Sequence, residues 1–538
     1  MEPWPGDVRE VTLACLKTTS IKGVPRALKV ESVLLKIVWC FFILGFFIAA
    51  VYLVHLQVVE YSKYPTIINF NEILASEDLI KKWKIFPSIL FCNLKPVHIK
   101  DNASVYNLMD YLGDVTINMT RFRRQQEQVS PEVESAFEHL YKVQGYYDFL
   151  GTATASSYGQ TAEQFVVSCT LTSKIGGIVV PCGEVADVDQ LVSPTYINCY
   201  SITMTKESIM KFKPELISVI LHLGDADDYI HTDFSHVSND LQSSGVMMQL
   251  YTENIDLVRL GTRLEPGTLT TSHFLIGKRE RLAAPYGSCA SESQFPMLHL
   301  SSGNPLPYTK KRCDSACSQS VVSERCKCLM SDAYAVHTEE EINLPFCGSA
   351  RELFEERLEA VMCAQKALQD SARDCGTKCP SVCNELVVSS STTSSNWPRH
   401  SQKLGFYKSE IAGRSFEYKY LEYKELGNNL TSQNVHETLR KLTKLDKIER
   451  NFLKLDAIMA DTVISEISTK RKVSFWDLMS SVASFLNMFS GITLIVFVEI
   501  LDYGVHLFYL LSHRQKRETT KAPNGQATTD NYEFNVHL

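Results

Sequence analysis

Ile37-Val-Trp-Cys-Phe-Phe-Ile-Leu-Gly-Phe-Phe-Ile-Ala-Ala-Val-Tyr-Leu-Val-His-Leu56 carries no acid or base before His55. As a helix, its roughly 20 residues reach across a hydrocarbon core of about 30 Å. A second apolar run, Phe485 to Val498, lies near the other end, and fourteen of the sixteen cysteines fall between the two. The pattern reads as a membrane hairpin enclosing a large oxidised ectodomain. A secretory signal core has about 7 to 15 apolar residues and a small-residue cleavage site. The first run is longer and is followed by Val58-Val-Glu-Tyr61, so it is expected to remain as a span. Lys17, Lys22, Arg26, Lys29 and Lys36 precede it, and His513, Arg514, Lys516 and Arg517 follow the second run. By the positive-inside rule both termini are then cytosolic. The expected order is a cytosolic segment 1–36, a first span 37–58, an extracellular domain 59–476, a second span 477–511 and a cytosolic tail 512–538.

The chain is mildly acidic, with net charge -7, and its 45% hydrophobic content suffices for a core and two spans. No basic excess points to a nucleic-acid partner. Sequons at Asn102-Ala-Ser, Asn118-Met-Thr and Asn429-Leu-Thr all fall in the expected ectodomain. The cysteines there, Cys92, Cys169, Cys182, Cys199, Cys289, Cys313, Cys317, Cys326, Cys328, Cys347, Cys363, Cys375, Cys379 and Cys383, form an even set. In an oxidising compartment this reads as seven disulfides of undetermined connectivity, with zinc binding around Cys326 and Cys328 or Cys375, Cys379 and Cys383 as the alternative. Cys15 and Cys40 are expected to be free thiols.

Phe86 to Asn93, Ile175 to Val180, Leu216 to Leu221 and Val246 to Tyr251 read as strands, while Glu352 to Gln369 and Val435 to Leu445 carry helical spacing. The ectodomain is therefore expected to be mixed α and β. Ser389 to Ser395 passes for a linker, although Trp397-Pro398 after it suggests a structured turn. No His-Glu-x-x-His pair, Gly-x-Ser-x-Gly elbow or phosphate loop is present, so an enzyme is not expected, nor any cofactor. Val536-His-Leu538 suits a PDZ-type groove, and the tail carries no Pro-Pro-x-Tyr motif.

In the second run Ser480, Ser484, Asn487 and Gly491 recur at helical intervals, placing small and polar groups on one face. Such a stripe either packs helices closely or lines a water-filled pore. Glu499 and Asp502 follow, on nearly the same face. They read either as acids at the membrane boundary or as a cation-attracting ring formed by several copies. A single chain with two spans cannot enclose a pore, so conduction requires oligomers.

The segment Asp477 to Thr493, followed by Glu499-Ile-Leu-Asp-Tyr503, resembles the pore helix of the degenerin/epithelial sodium channel family. Phe86-Pro-Ser with Cys92-Asn93, Pro285-Tyr-Gly-Ser-Cys289, Cys326-Lys-Cys328, Asn396-Trp-Pro398 and Asn451-Phe-Leu-Lys454 resemble further family motifs in order. The resemblance covers nearly the whole chain. It implies a homotrimer or heterotrimer in the plasma membrane, with palm, finger and thumb in the ectodomain, conducting sodium ions and blocked in many members by amiloride. It also implies the pairs Cys92–Cys199, Cys169–Cys182, Cys289–Cys383, Cys313–Cys379, Cys317–Cys375, Cys326–Cys363 and Cys328–Cys347.

Some positions depart from the family pattern. The selectivity motif, usually Gly-x-Ser with a small middle residue, is Gly491-Ile492-Thr493. Asn487 stands where a glycine often contributes to amiloride block. Ser480 matches a site where bulky residues hold some members open. Lys22-Gly23 replaces a cytosolic His-Gly motif that acts in gating. Asp227-Asp228-Tyr229 resembles an acidic motif of proton-sensing members, with His222, His231 and His236 nearby, whereas Glu60 to Tyr64 lacks the histidine those members carry. The preferred expectation is gating by an extracellular neuropeptide, as in the FMRFamide-gated channels of invertebrates. Proton gating, mechanical gating and a non-conducting receptor subunit are the alternatives.

Overall fold

A computed structural model describes residues 8–74, 85–95, 102–125, 129–224, 244–252, 261–292, 295, 298–299, 307–331, 335–336, 343–351, 353–430, 435–460 and 463–519. Asp227, Asp228, His231, His236 and the tail motif at 536–538 lie outside these residues. The chain divides into two compact units, Met1–Ile67 with Arg471–Leu538, and Ile68–Lys470.

The larger unit is built on two sheets. In the first, the path runs β1 (Thr66–Leu74), β17 (Val463–Arg471), β10 (Thr268–Glu280), β16 (Phe452–Met459), β7 (Pro214–His222), β3 (Val166–Ser173) and β4 (Val179–Pro181), with β15 (Asn384–Asn396) pairing β10 off the path. Along one edge β10 pairs in parallel with β16, Leu269 opposite Lys454, and then with β17, Gly277 opposite Ser465. The other edge carries β15 antiparallel, from Thr268 opposite Asn396 to Glu280 opposite Asn384. The second sheet has the order β5 (Ala186–Ser193), β6 (Ile197–Met204), β2 (Ser88–Asn93), β8 (Val246–Tyr251) and β9 (Thr262–Leu264). Every residue of β2 is buried, as expected for an apolar strand flanked on both sides. Among the described residues two short pairs complete the strands, β11 (Cys289–Ala290) with β14 (Ser381–Val382) and β12 (Leu298–His299) with β13 (Ala335–Val336).

The strand readings at Leu216 to Leu221 and Val246 to Tyr251 match β7 and β8. One linker reading and one strand reading need correction. Ser389 to Ser395 is not a linker but belongs to the exposed half of β15, because thirteen consecutive residues find ladder partners on β10. The stretch from Ile175 is mostly a hairpin turn, since Gly176 and Gly177 take φ +69° and +61° and only Val179–Pro181 is extended.

Helices Asn102–Gln125, Pro131–Tyr141 and Val143–Leu150 share an apolar cluster with Lys310–Cys326 and Phe354–Lys378. Gly145 permits the tight turn there, because a Cβ would stand 2.6 Å from the Leu140 Cα. Asn118 lies on the first of these helices and donates to the Asp114 carboxylate at 2.7 Å, and Asn429 is exposed.

The seven disulfides join the same pairs that the family resemblance implied. The sulfurs that zinc would have required are consumed in these bridges. Cys289–Cys383, Cys313–Cys379 and Cys317–Cys375 are nested, with sequence separations of 94, 66 and 58. The two inner rungs tie Lys310–Cys326 to the C-terminal end of Phe354–Lys378 and its following residue. Replacing Cys313 and Cys379 together by serine is expected to lower stability by about 2–4 kcal/mol, read as a lower thermal midpoint of the purified protein. An unchanged midpoint would show that neighbouring rungs already supply the constraint.

His222 is enclosed rather than available at a surface. Its ring stacks on Phe416 at a centroid distance of 4.1 Å and lies tilted against Phe452 at 4.7 Å, and its Nε2 lies 3.1 Å from the Tyr420 hydroxyl. Nearby, Glu417 accepts from the Tyr407 hydroxyl at 2.6 Å, from the Gly413 amide at 2.9 Å and from Lys424 Nζ at 2.9 Å. These donors, the Tyr407 hydroxyl first, lower its pKa from 4.5 to about 2. A carboxylate depressed on folding stabilises the fold above its unfolded value and ceases to do so as pH falls through its folded value. The contribution of Glu417 is therefore full above pH 4.5 and lost as pH falls through about 2. Acid titration of stability in wild type and Glu417→Gln should diverge in that window, the variant having the shallower slope. Parallel curves would rule out this linkage.

Candidate ion pathway at the broken second segment

Within the smaller unit, Val33–Ser62 is the one helix among the described residues that is alone long and apolar enough to cross a membrane. Phe475–Ser490 and Leu494–Tyr509 pass the same test as a pair bent by 72°. The first member of that pair begins with a capping box, in which Ser474 Oγ accepts from the Asp477 amide at 3.1 Å and Asp477 accepts from the Ser474 amide at 2.9 Å. Lys472 joins this start to the end of the first long helix through Glu60 at 3.0 Å and the Pro65 carbonyl at 2.9 Å.

The break is at Gly491. Its φ of +72° is left-handed, and its amide and that of Ile492 close onto the carbonyls of Asn487 and Leu486 at 3.1 and 3.3 Å. Residues 491–493 lie outside either helix, and a new helix, Leu494–Thr519, begins immediately after them. The expectation of one continuous helical phase from Ser480 to Asp502 is thereby corrected. A glycine free to take positive φ, followed by β-branched Ile492 and Thr493, ends the first helix instead of continuing it.

The polar stripe is turned away from the chain's own first helix. Ser480, Ser484 and Asn487 are exposed, whereas Phe489 meets Phe46 with ring centroids 6.4 Å apart. Ser484 Oγ donates to the Ser480 carbonyl at 2.7 Å, so its hydroxyl is held along the helix. Close packing of small residues against the first helix of the same chain is therefore not the use of this face.

Residues 19–23 run against the break. The Lys22 amide donates to the Ser490 carbonyl at 3.0 Å, and Lys22 Nζ donates to the Asn487 carbonyl at 3.1 Å. A Cβ on Gly491 would stand 2.6 Å from Lys22 Cγ and 2.9 Å from the Lys22 amide nitrogen. Gly23 turns the chain at φ +90°, where a Cβ would come within 3.0 Å of Ile43. An apolar cavity of about 520 Å³ opens beside this segment, between Trp39, Ile43, Phe46, Met488 and Phe489.

The two acids behave differently. Glu499 accepts from three donors of the N-terminal segment: Thr19 Oγ1 at 2.9 Å, the Ser20 amide at 3.0 Å to each oxygen, and the Ser20 hydroxyl. Asp502 is exposed and lies 3.5 Å from His506 Nε2, one turn along its own helix. Glu499 is thus committed within its own chain, which the reading of both acids as a free ring did not anticipate. Thr12 adds a contact to the Tyr503 hydroxyl at 2.9 Å. Sequence reasoning missed Thr12, Thr19 and Ser20, since hydroxyl residues in a basic tail carry no pattern that marks a distant partner.

The family model described as amiloride-sensitive sodium channel matches residues 15–503. The FMRFamide-activated amiloride-sensitive sodium channel of Cornu aspersum is 21% identical over 92% of this chain and 82% of its own length. Epithelial sodium channel subunit beta of Neoceratodus forsteri is 28% identical over 30% of this chain and 24% of its own length. With a match that takes in the disulfide-bonded ectodomain, the break at Gly491 and Tyr503, the chain belongs to the amiloride-sensitive sodium channel family, the degenerin and epithelial sodium channels.

Proposed function

We propose that this chain is a subunit of a trimeric, sodium-selective channel of the plasma membrane, opened by an extracellular neuropeptide of the FMRFamide class. Both termini are cytosolic in this reading, and the bent pair 475–509 forms the second span. The observation that carries the pore is the exposed face of Ser480, Ser484 and Asn487, with the non-helical Gly491-Ile492-Thr493 following it. Three copies of that face around an axis give a polar lining, and residues 491–493 present backbone carbonyls and the Thr493 hydroxyl to a permeating ion. Support for the peptide is the likeness to the FMRFamide-activated channel along 92% of the chain.

Voltage clamp of cells expressing this chain alone, superfused with FMRFamide at constant neutral pH, tests both parts. An inward sodium current is the expected result. Silence with protein at the surface removes the peptide assignment for the homomer and turns attention to acid steps and stretch. Ser480→Phe tests the pore separately, because a bulky residue on the exposed face is expected to hold it open and give constitutive current. A silent but surface-expressed Ser480→Phe channel would favour a non-conducting receptor.

A further inference from the structure

We propose that the hairpin tip between β3 and β4 is a subunit contact, seated against the start of helix Phe354–Lys378 of a second copy of this chain. The inference rests on the trimer reading and names the surface that makes it. Ser173 fixes the tip. Its hydroxyl donates to the Phe212 carbonyl at 2.5 Å and accepts from the Ile175 amide at 3.1 Å, while its amide donates to the Ile178 carbonyl at 2.8 Å. The Cys169–Cys182 bridge ties the two strands below it. Held in this way, Ile175, Ile178 and Val179 are 54%, 59% and 59% exposed, where turns ordinarily carry polar residues. A contiguous aliphatic surface of this kind marks a contact. The Lys174 amide donates to the Lys213 carbonyl at 3.0 Å, which brings the end of helix Lys206–Phe212 alongside. Lys174, Lys211 and Lys213 are exposed there, and none of them makes an ion pair among the described residues.

A partner for this tip needs exposed apolar surface beside unpaired acids. The start of helix Phe354–Lys378 supplies it. Leu353, 57% exposed, occupies the N-cap position, where a serine, threonine, aspartate or asparagine would satisfy the free amides and leucine does not. Glu355, Glu356 and Glu359 are exposed, and none makes an ion pair among the described residues. Glu359 is four and three positions from the other two, so the three acids share one side of the helix. Arg357 between them is turned inward, its Nη2 donating to Asp114 at 2.9 Å. The helix dipole favours acids in the first turn, which accounts for Glu355 and Glu356 but for neither Glu359 nor the exposed leucine. A closed ring of three joins a patch on each copy to a different patch on the next. This chain carries two patches that complement each other, aliphatics beside lysines and a leucine beside acids.

The full chain in detergent, with Cys15 and Cys40 replaced by serine so that added cysteines are the free thiols, tests the contact. Ile178→Cys and Leu353→Cys in one chain, oxidised with copper phenanthroline, should give a non-reducing ladder ending at a covalent trimer, because each copy then bonds to both neighbours. Each single variant should stay at the monomer position, and co-expression of the two should give dimers and nothing larger. A ladder in a single variant would mean that like patches meet, which overturns the proposal. As a second measurement, Lys174→Glu with Lys211→Glu should raise by about tenfold or more the protein concentration at which half the chains are assembled. Adding Glu355→Lys with Glu359→Lys should reverse most of that shift. Protein that elutes as a trimer, yet gives no ladder and is indifferent to the charge reversals, would overturn this contact and leave the trimer standing. Wild type that elutes as a monomer would overturn both.

Discussion

Lys403→Met is expected to destabilise the larger unit by about 3–5 kcal/mol, the range for removing one partner of a buried ion pair. The Lys403 side chain is completely buried. Its Nζ donates to the carbonyls of Leu442 and Leu445 at 2.9 and 2.5 Å and contacts Glu449 Oε1. Those carbonyls lie at the C-terminal end of helix Val435–Lys444, where backbone acceptors have no partner within the helix. The ammonium therefore satisfies a helix end and an acid together. Methionine matches the length of the stem but leaves the carbonyls and Glu449 without their donor, and Glu449 already has one buried oxygen lacking a partner. Denaturant unfolding should show the loss, reported by Trp397, whose ring lies 4.9 Å from Phe406 in the same cluster. Lys403→Met with Glu449→Gln should cost less than the two single changes added, because the second change removes the stranded charge. A single-variant loss below about 1 kcal/mol would mean that water reaches Glu449 and replaces the lysine.

Gly491→Val is expected to lower conduction strongly while leaving the ectodomain folded. A branched side chain at φ +72° resists the left-handed conformation by about 1–2 kcal/mol. The new Cβ would also approach the Lys22 amide nitrogen to 2.9 Å, a backbone atom that cannot swing aside as a side chain can. A combined penalty above about 1.4 kcal/mol shifts the population of the bent form more than tenfold. Maximal current at equal surface expression should fall by at least that factor. Adding Lys22→Ala should not restore it, since the backbone nitrogen remains. Full recovery in that double variant would place the conflict in the lysine stem alone.

Much of the ectodomain was legible from local pattern. The apolar run at Leu216 to Leu221 and the run at Val246 to Tyr251 have strand length and composition, and both became strands. The disulfide partners were not legible from spacing, because fourteen cysteines admit many pairings; only the family resemblance supplied them. Ser389 to Ser395 misled because β15 is specified by β10, residues more than a hundred positions away, and serine has no strand preference of its own. The break at Gly491 was hidden by its own regularity. The intervals from Ser480 to Gly491 are helical up to the residue that ends the helix, and the same glycine that completes the stripe adopts the conformation that stops it. The hold on Glu499 was illegible for another reason, since its donors lie 479 and 480 positions earlier in the chain.

The nested order of the three bridges also sets a timetable for biosynthesis. Cys289 is made 94 residues before Cys383, so at about 5–20 residues per second it waits roughly 5–20 s for its partner to be synthesised. Cys313 and Cys317 wait together, one turn apart on the same helix, and their partners arrive in reverse order, Cys375 before Cys379. The innermost rung is therefore the first that can close and the outermost the last. A ribosome that pauses before residue 375 leaves three reduced thiols competing for any oxidant, so the yield of native channel should depend on translation speed through this region and on the disulfide isomerase available to the cell.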